Sequence, residues 1–264
     1  MTYIIAVANQ KGGVAKTTTT VSLGGAFALH GRDVLLVDLD PQADLSLALG
    51  VEPGKVRRSI ADVLFSSANL LSVSRETSIP NLDLVPSNSQ MDLAERFLPI
   101  RQNYETLLRS ALNVNMPYDY VLLDCPPSVG AVTLNALNAA NLLVIPTQPE
   151  YFSVHALRNM LTAVRRIRSS TNPDLNYRIL ITMQDRRNRI HRTLNEQLRA
   201  TFGAGILQTV LEVDTKLRES AIAGLPITHQ FPTSRGALQY QALAQELTQH
   251  VQETAPQSIS QQPA

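Results

Sequence analysis

Seven short apolar runs, most of them rich in Leu, Ile and Val, recur along the chain and are typical of buried β-strands. Between them, apolar residues recur at helical spacing, for example over residues 17–29, 153–167 and 192–202. Strands that alternate with helices form a mostly parallel sheet with helices on both faces, so the pattern predicts a doubly wound α/β fold. The predicted strands are residues 3–8, 34–37, 82–85, 120–123, 142–145, 178–182 and 206–210.

The pattern shows no internal repeat and no Pro/Gly-rich linker. We therefore expect residues 1–252 to form a single domain. Residues 253–264 are rich in Gln, Ser and Pro, a composition that predicts a disordered tail.

Composition narrows the class of protein. No apolar run approaches the roughly 20 residues that span a bilayer, and the chain enters its first strand without a leader-like segment. The single cysteine, Cys125, excludes an internal disulfide framework and a self-contained structural zinc site. These features predict a cytoplasmic protein.

Charge is close to balanced overall, at +1, but unevenly distributed. Residues 155–199 contain ten arginines against three acidic residues. This segment is either a surface that binds anions such as nucleic-acid phosphates or an ordinary solvated helix face.

The segment NQKGGVAKTTTT, residues 9–20, directly follows the first predicted strand. The usual phosphate-loop template would place glycines where this chain has Gln10 and Ala15. Gly12 and Gly13 nevertheless let the backbone close around a phosphate, while Lys16 adds a positive charge and the Thr17 hydroxyl can ligate Mg²⁺. The alternative is a glycine-rich turn with a threonine cap.

Carboxylates follow two further predicted strands, with Asp38 and Asp40 after one and Asp124 after the other. Each alone could be a turn or cap residue. Together they would lie beside the loop at the carboxyl edge of the sheet, where Mg²⁺ and an attacking water need them. The combination predicts a nucleotide site.

These motifs resemble the ParA/Soj/MinD ATPases. KGGVAKTT is similar to the deviant Walker A loop of that family, and VLLVDLDPQ and YDYVLLDCPPS are similar to its next two motifs. PTQPEYFSVHAL, ITMQDRR and PTSRGALQYQALAQEL extend the resemblance to about residue 250. The PQ and CPPS segments favour the ParA/Soj branch.

The resemblance implies ATP and Mg²⁺ as cofactors. Lys16 would bind the β and γ phosphates, Asp40 would orient or activate water, and Lys11 would reach the phosphates of a partner subunit in an ATP-sandwich homodimer. The implied metal site involves Thr17, Asp38, Asp40 and Asp124, and the implied nucleotide contacts are Lys11, Gly12, Gly13, Val14, Ala15, Lys16, Thr17, Thr18 and Met183.

Two positions depart from the family pattern. Ala15 replaces the usual glycine, and we expect it to adopt a helical φ with ATP binding intact. Residues 211–221 lack the usual Pro and first Arg, so Met183 becomes the expected base contact, although a methionine at a strand end is also a common core residue.

The resemblance further implies non-specific DNA binding by the ATP-bound dimer. Arg187 and Lys216 match positions that bind DNA in Soj-like members, and Arg189, Arg218 and Arg235 are added as expected contacts. A ParB-like protein or small cargo adaptor would stimulate a weak ATPase, so that a chromosome, plasmid or organelle-like body is positioned on the nucleoid.

Alternative functions stay open at this stage. A MinD-like membrane-associated ATPase is the nearest, although residues 247–264 contain neither Lys nor Arg for an interfacial helix. A nitrogenase-iron-protein-like function would need two cluster cysteines per subunit. A dethiobiotin-synthetase-like ligase and a scaffold without turnover complete the alternatives.

Overall fold

A computed structural model of the chain describes residues 2–112, 115–151 and 153–254. Its strands are β1 (Tyr3–Val7), β2 (Val34–Asp38), β3 (Arg75–Glu76), β4 (Leu82–Val85), β5 (Tyr120–Asp124), β6 (Leu142–Thr147), β7 (Asn176–Gln184) and β8 (Ile206–Glu212). They form one sheet in the order β3-β4-β2-β5-β1-β6-β7-β8, in which only β3 runs antiparallel to its neighbour within the described ranges. The predicted doubly wound α/β fold is confirmed.

Helices follow most of the strands. They are α1 (Lys16–Leu29), α2 (Asp44–Ala48), α3 (Ile60–Ser66), α4 (Leu70–Val73), α5 (Met91–Phe97), α6 (Leu107–Leu112), α7 (Ala131–Ala139), α8 (Ser153–Arg168), α9 (Arg189–Phe202), α10 (Lys216–Ala223), α11 (Ile227–Gln230) and α12 (Arg235–Thr254). The predicted tail lies outside the described residues, except for its first two, which end α12.

The sheet has a hydrophobic core on each face because successive strand residues point to opposite sides. In β2, Leu35 and Val37 pack with α3, α5 and α7, whereas Leu36 packs with α1 and α12. Burial on both faces explains why the strands have continuous apolar sequences instead of alternating ones.

Two glycines let α1 lie close to its neighbours. A Cβ added at Gly24 would lie 2.7 Å from a methyl carbon of Leu36, and one added at Gly25 would lie 2.5 Å from Cβ of Pro226. Larger side chains here would push α1 away from β2 and α11. The close contact sets the distance of α1, the helix that begins at the end of the loop after β1, from the sheet.

The register of the central strands brings the polar strand ends together. Asp124 of β5 is paired with Val7 of β1 on one side and with Asp38 of β2 on the other. The loop after β1 therefore lies beside both carboxylates at the carboxyl edge, which is where doubly wound folds bind ligands.

Candidate nucleotide site

A cavity of about 490 Å³ opens at this carboxyl edge, a volume within the range of small-molecule sites. The loop after β1 forms one part of the cavity, and the ends of β7 and β8 together with the segment after β8 form another wall. Its lining residues are Gly12, Gly13, Ala15, Lys16, Thr17, Thr18, Asp40, Gln42, Asp44, Pro127, Met183, Glu212, Val213, Asp214, Thr215, Leu217 and Arg218.

The loop reaches α1 through two left-handed residues, Gly13 with φ of 71° and Ala15 with φ of 68°. The expectation of a helical φ at Ala15 is therefore wrong. Ala15 stands one position before the helix, and its carbonyl accepts the first helical hydrogen bond, from the N–H of Thr19 at 2.9 Å. A side chain in this conformation costs roughly 1–2 kcal/mol, which explains the glycine usual in the family.

Lys16 lies inside the curve of the loop. Its side chain is buried, and its ammonium group donates to the carbonyl oxygen of Lys11 at 3.3 Å. Burial lowers the pKa of Lys16, and the nearby carboxylates of Asp124 and Asp40 partly oppose that shift. A charge held in this way is suited to bind a phosphate that replaces its lost water.

The carboxylate of Asp124 accepts hydrogen bonds from two hydroxyl groups of α1, Thr17 Oγ1 at 2.7 Å and Thr20 Oγ1 at 3.0 Å. Complete burial raises the pKa of its carboxyl to about 7. Sequence reasoning missed Thr20, although its spacing of three from Thr17 puts both hydroxyls on one face of a helix.

These residues fit a Mg²⁺ ion that is completed by phosphate oxygens and water. The Thr17 hydroxyl donates its proton to Asp124, so its lone pairs are available to a metal. Among the described residues, no group of three or more His, Cys, Asp and Glu could hold a metal by itself. Mg²⁺ in nucleotide sites commonly takes few protein ligands, because the phosphates and water supply the others.

Asp38 is buried beside Asp124, and its carboxylate supports the chain that follows β2. It accepts hydrogen bonds from Ser46 N at 2.9 Å, Ser46 Oγ at 2.7 Å and Asp40 N at 3.2 Å. Burial, together with the charge of Asp124, raises the pKa of Asp38 to about 8. Its predicted part in Mg²⁺ hydration stays a prediction, and Ser46 was missed because no motif marks it.

Asp40 lines the cavity and accepts the N–H of Gln42 at 2.9 Å. Partial burial raises the pKa of its carboxyl above the ordinary value. A carboxylate with a raised pKa is a stronger proton acceptor, which suits the predicted role toward water.

Lys11 has a different environment from Lys16. Its ammonium group forms an ion pair with Glu150, and its backbone N–H donates to Asn9 Oδ1 at 3.0 Å. Asn9 in turn donates to the carbonyl of Pro146 at 2.7 Å, so the segment before the glycines is tied to the end of β6. Lys11 is absent from the cavity lining, and Glu150 was not predicted as its partner.

The wall formed by the ends of β7 and β8 contains Met183, the predicted base contact, which has a left-handed φ of 54°. The preceding residue, Thr182, donates its hydroxyl to the Val14 carbonyl of the phosphate loop at 3.1 Å. The chain from Glu212 to Arg218 completes this wall. Residues 211–221 thus contribute to the cavity despite their departure from the family pattern.

The five expected DNA contacts fall into two groups. Arg187 and Arg189 are exposed at the start of α9, and neither has an ion-pair partner among the described residues. Of the other three, Arg218 is also exposed, whereas Lys216 and Arg235 form ion pairs within the chain. Arg218 lines the cavity; Lys216 pairs with Glu219 at 2.7 Å and lies 4.5 Å from the ring centre of Phe231; Arg235 pairs with Glu212 at 3.2 Å.

Within the described ranges, no helix is both long enough and apolar enough to span a bilayer.

Comparison with known proteins agrees with this geometry. A family model described as an AAA domain matches residues 2–177. The sporulation initiation inhibitor protein Soj of Bacillus subtilis is 39% identical over 249 residues, which are 94% of this chain and 98% of that protein. The chromosome partitioning protein ParA of Caulobacter vibrioides is 36% identical over 248 residues, covering 92% of this chain and 93% of its own.

Among solved structures, cobyrinic acid a,c-diamide synthase from Mycobacterium smegmatis with bound ADP and magnesium has a TM-score of 0.81 and 34% identity, and the match covers 100% of both chains.

Proposed function

Because the chain belongs to the ParA/Soj family of chromosome-partitioning ATPases, we propose that it is an ATP-dependent dimerising ATPase that binds non-specific DNA and positions a cargo. Residues 1–252 would act as one ATPase domain that uses ATP and Mg²⁺. The cargo would be a chromosome, a plasmid or an organelle-like body.

One observation carries the proposal. The phosphate loop contains two lysines five residues apart, yet only Lys16 lines the cavity of its own subunit. Lys11 is held at the rim by Glu150, where a second subunit that covers the cavity could meet it. A charge supplied across a dimer stabilises the transferring phosphoryl group only when the dimer has formed.

Hydrolysis would be divided among the residues of the site. Lys16 would bind the β and γ phosphates, and Thr17 and Asp124 would hold Mg²⁺, which would neutralise phosphate charge. Asp40 orients the attacking water and accepts its proton. Lys11 of one subunit replaces its contact with Glu150 by one to the partner's phosphates.

DNA binding would use the exposed arginines at the start of α9. Arg187 and Arg189 present guanidinium groups that bind phosphate oxygens in a sequence-independent way. A dimer doubles these contacts, so ATP would control residence on the nucleoid. A ParB-like protein or small cargo adaptor would then stimulate the slow hydrolysis and release the subunits.

The name of the mycobacterial protein describes an amide synthase, so we considered such an activity. An enzyme that takes nitrogen from glutamine through a thiol needs that thiol exposed. Cys125 is the chain's only cysteine; it is buried, and burial raises its pKa well above the ordinary value. The positioning ATPase is therefore the function that we propose.

The test is co-sedimentation with duplex DNA and, separately, with anionic liposomes, each with ATP, with ADP and without nucleotide. We expect ATP-dependent binding to DNA alone, with affinity that falls steeply as salt rises. Arg187→Glu should abolish it while nucleotide binding is retained. Binding to liposomes instead of DNA would favour the MinD-like alternative and overturn the proposal.

A further inference from the structure

The carboxylate of Glu212 is buried at the nucleotide cavity and is paired with two arginines. Only 6% of its side chain is exposed, and it forms ion pairs with Arg186, which precedes α9, and with Arg235, the first residue of α12. Two guanidinium groups from distant parts of the chain therefore converge on one carboxylate that lines the cavity.

Arg235 makes a second contact in the same place. One nitrogen of its guanidinium lies 3.2 Å from Glu212 Oε2, and the other donates to the carbonyl oxygen of Val213 at 2.6 Å. The rigid fork of the guanidinium thus spans two consecutive residues of the cavity wall. Its two terminal nitrogens are committed within the chain.

Two further residues near the start of α12 make hydrogen bonds to the same segment of the cavity wall. Gly236 N donates to Asp214 Oδ2 at 2.9 Å, and Gln239 Oε1 accepts the N–H of Glu212 at 3.0 Å. A Cβ at Gly236 would lie 3.3 Å from Asp214 Oδ2, so glycine permits this close approach. Together these contacts fix Glu212, Val213 and Asp214 against α12.

The fixed segment lines the same cavity as the phosphate loop. Val213 is 51% exposed although it is apolar, and it lines the cavity beside Met183. An apolar side chain held open to solvent in a cavity is suited to cover the flat face of a nucleotide base. The phosphates would lie against the loop, so the apolar side chains of the same cavity are the surface suited to the base.

We propose that Arg235 is a positioning residue for the base of the bound nucleotide and not a DNA contact, acting through Glu212 and the Val213 carbonyl. This inference rests on the proposed function, because it assumes that a nucleotide occupies the cavity. It reassigns an arginine that was added to the expected DNA contacts on sequence grounds.

The proposal separates two ligands that share a phosphate chain. Inorganic tripolyphosphate has no base, so its affinity should not depend on the position of Val213. The affinity of ATP should depend on it. We would measure the affinities of ATP and of Mg²⁺-tripolyphosphate by competition against a fluorescent ATP analogue. The variants are Arg235→Ala and, as a control, Arg166→Ala, which breaks an ion pair with Glu105 on another face.

Arg235→Ala should weaken ATP about tenfold, because binding must then order the wall that Arg235 holds in place, and leave tripolyphosphate within about twofold. Arg166→Ala should leave both affinities unchanged. An unchanged ATP affinity in Arg235→Ala, or an equal loss for both ligands, would overturn the inference. Failure of the unmodified chain to bind ATP would instead overturn the proposed function.

Arg235→Lys provides the test if the alanine variant does not fold. Lysine keeps the charge near Glu212 but cannot bridge to the Val213 carbonyl with the same fork. We expect an intermediate loss of ATP affinity and none for tripolyphosphate. An ATP affinity equal to that of the unmodified chain would contradict the positioning role.

Discussion

The two ends of the cavity are built in different ways. The phosphate end comes from one contiguous segment, residues 12–18, and lies beside aspartates that strand register brings together. The base end comes from a short segment after β8 that distant arginines hold in place through Glu212. A change at the phosphate end should therefore affect every phosphate ligand, whereas a change at the base end should affect only ligands with a base.

Asp40→Ala should give the largest effect and should separate turnover from binding within the phosphate end. Loss of a proton acceptor commonly costs a factor of about 10²–10⁴, so we expect hydrolysis to fall at least about 100-fold. ATP affinity should change little, because Asp40 does not need to contact the phosphates to activate water. Single-turnover hydrolysis beside equilibrium ATP binding provides the measurement, and hydrolysis at the unmodified rate would rule out the role of Asp40.

Lys16→Ala should weaken the binding of every ligand with a phosphate chain, whether or not the ligand has a base. Charged hydrogen bonds contribute roughly 1.5–3 kcal/mol, so ATP and tripolyphosphate should both weaken about 10- to 100-fold. The competition assay used for Arg235 measures both ligands. A loss confined to ATP would break the distinction between the two ends.

The buried carboxylates predict a pH effect on the nucleotide-free protein. The folded-state pKa of Asp124, about 7, lies above the value of about 3.9 expected in the unfolded chain. Stability from this group is therefore fully present below about pH 4 and is lost as pH rises through 7. The Asp124→Asn variant has no titrating group at this position. Its free energy of unfolding, relative to that of the unmodified chain, should therefore rise by more than about 1 kcal/mol between pH 5 and pH 9.

Urea unfolding of both proteins at each pH measures this difference. A stability difference that is constant across the pH range would show that Asp124 does not carry the shifted pKa.

Ala15→Gly should give the smallest effect. Relief of the left-handed φ gains roughly 1–2 kcal/mol, and the greater freedom of glycine in the unfolded chain costs about 0.5–1 kcal/mol. We therefore expect a net stabilisation of roughly 0.5–1 kcal/mol in urea unfolding, with ATP affinity retained because the N–H is unchanged. The control Ala28→Gly, inside α1, should destabilise by about 1 kcal/mol or more, and equal destabilisation by both changes would contradict the account of Ala15.

Much of the fold follows from sequence because the strands are buried on both faces and are therefore uniformly apolar. The seven predicted strands are all present, and several extend beyond their apolar cores into polar residues, as β7 does to Gln184. The antiparallel strand β3 was not predicted, because a strand of two residues has no periodicity to detect.

The site was predictable where one short segment supplies the chemistry. Lys16, Thr17 and Asp124 meet as predicted, since strand register and a single loop are enough to place them. Backbone conformation at Ala15 was not predictable from side-chain chemistry. The contacts of Lys11 with Glu150 and of Glu212 with Arg235 join segments far apart in sequence, so no local motif records them.

The central claim is that Lys11 serves the phosphates of a partner subunit. Light scattering coupled to gel filtration, with Mg²⁺ and a slowly hydrolysed ATP analogue, tests it directly for the unmodified chain and for Lys11→Ala. We predict that the mass of the unmodified chain doubles, whereas Lys11→Ala binds the analogue and stays monomeric. Doubling in both proteins, or in neither, would contradict the claim.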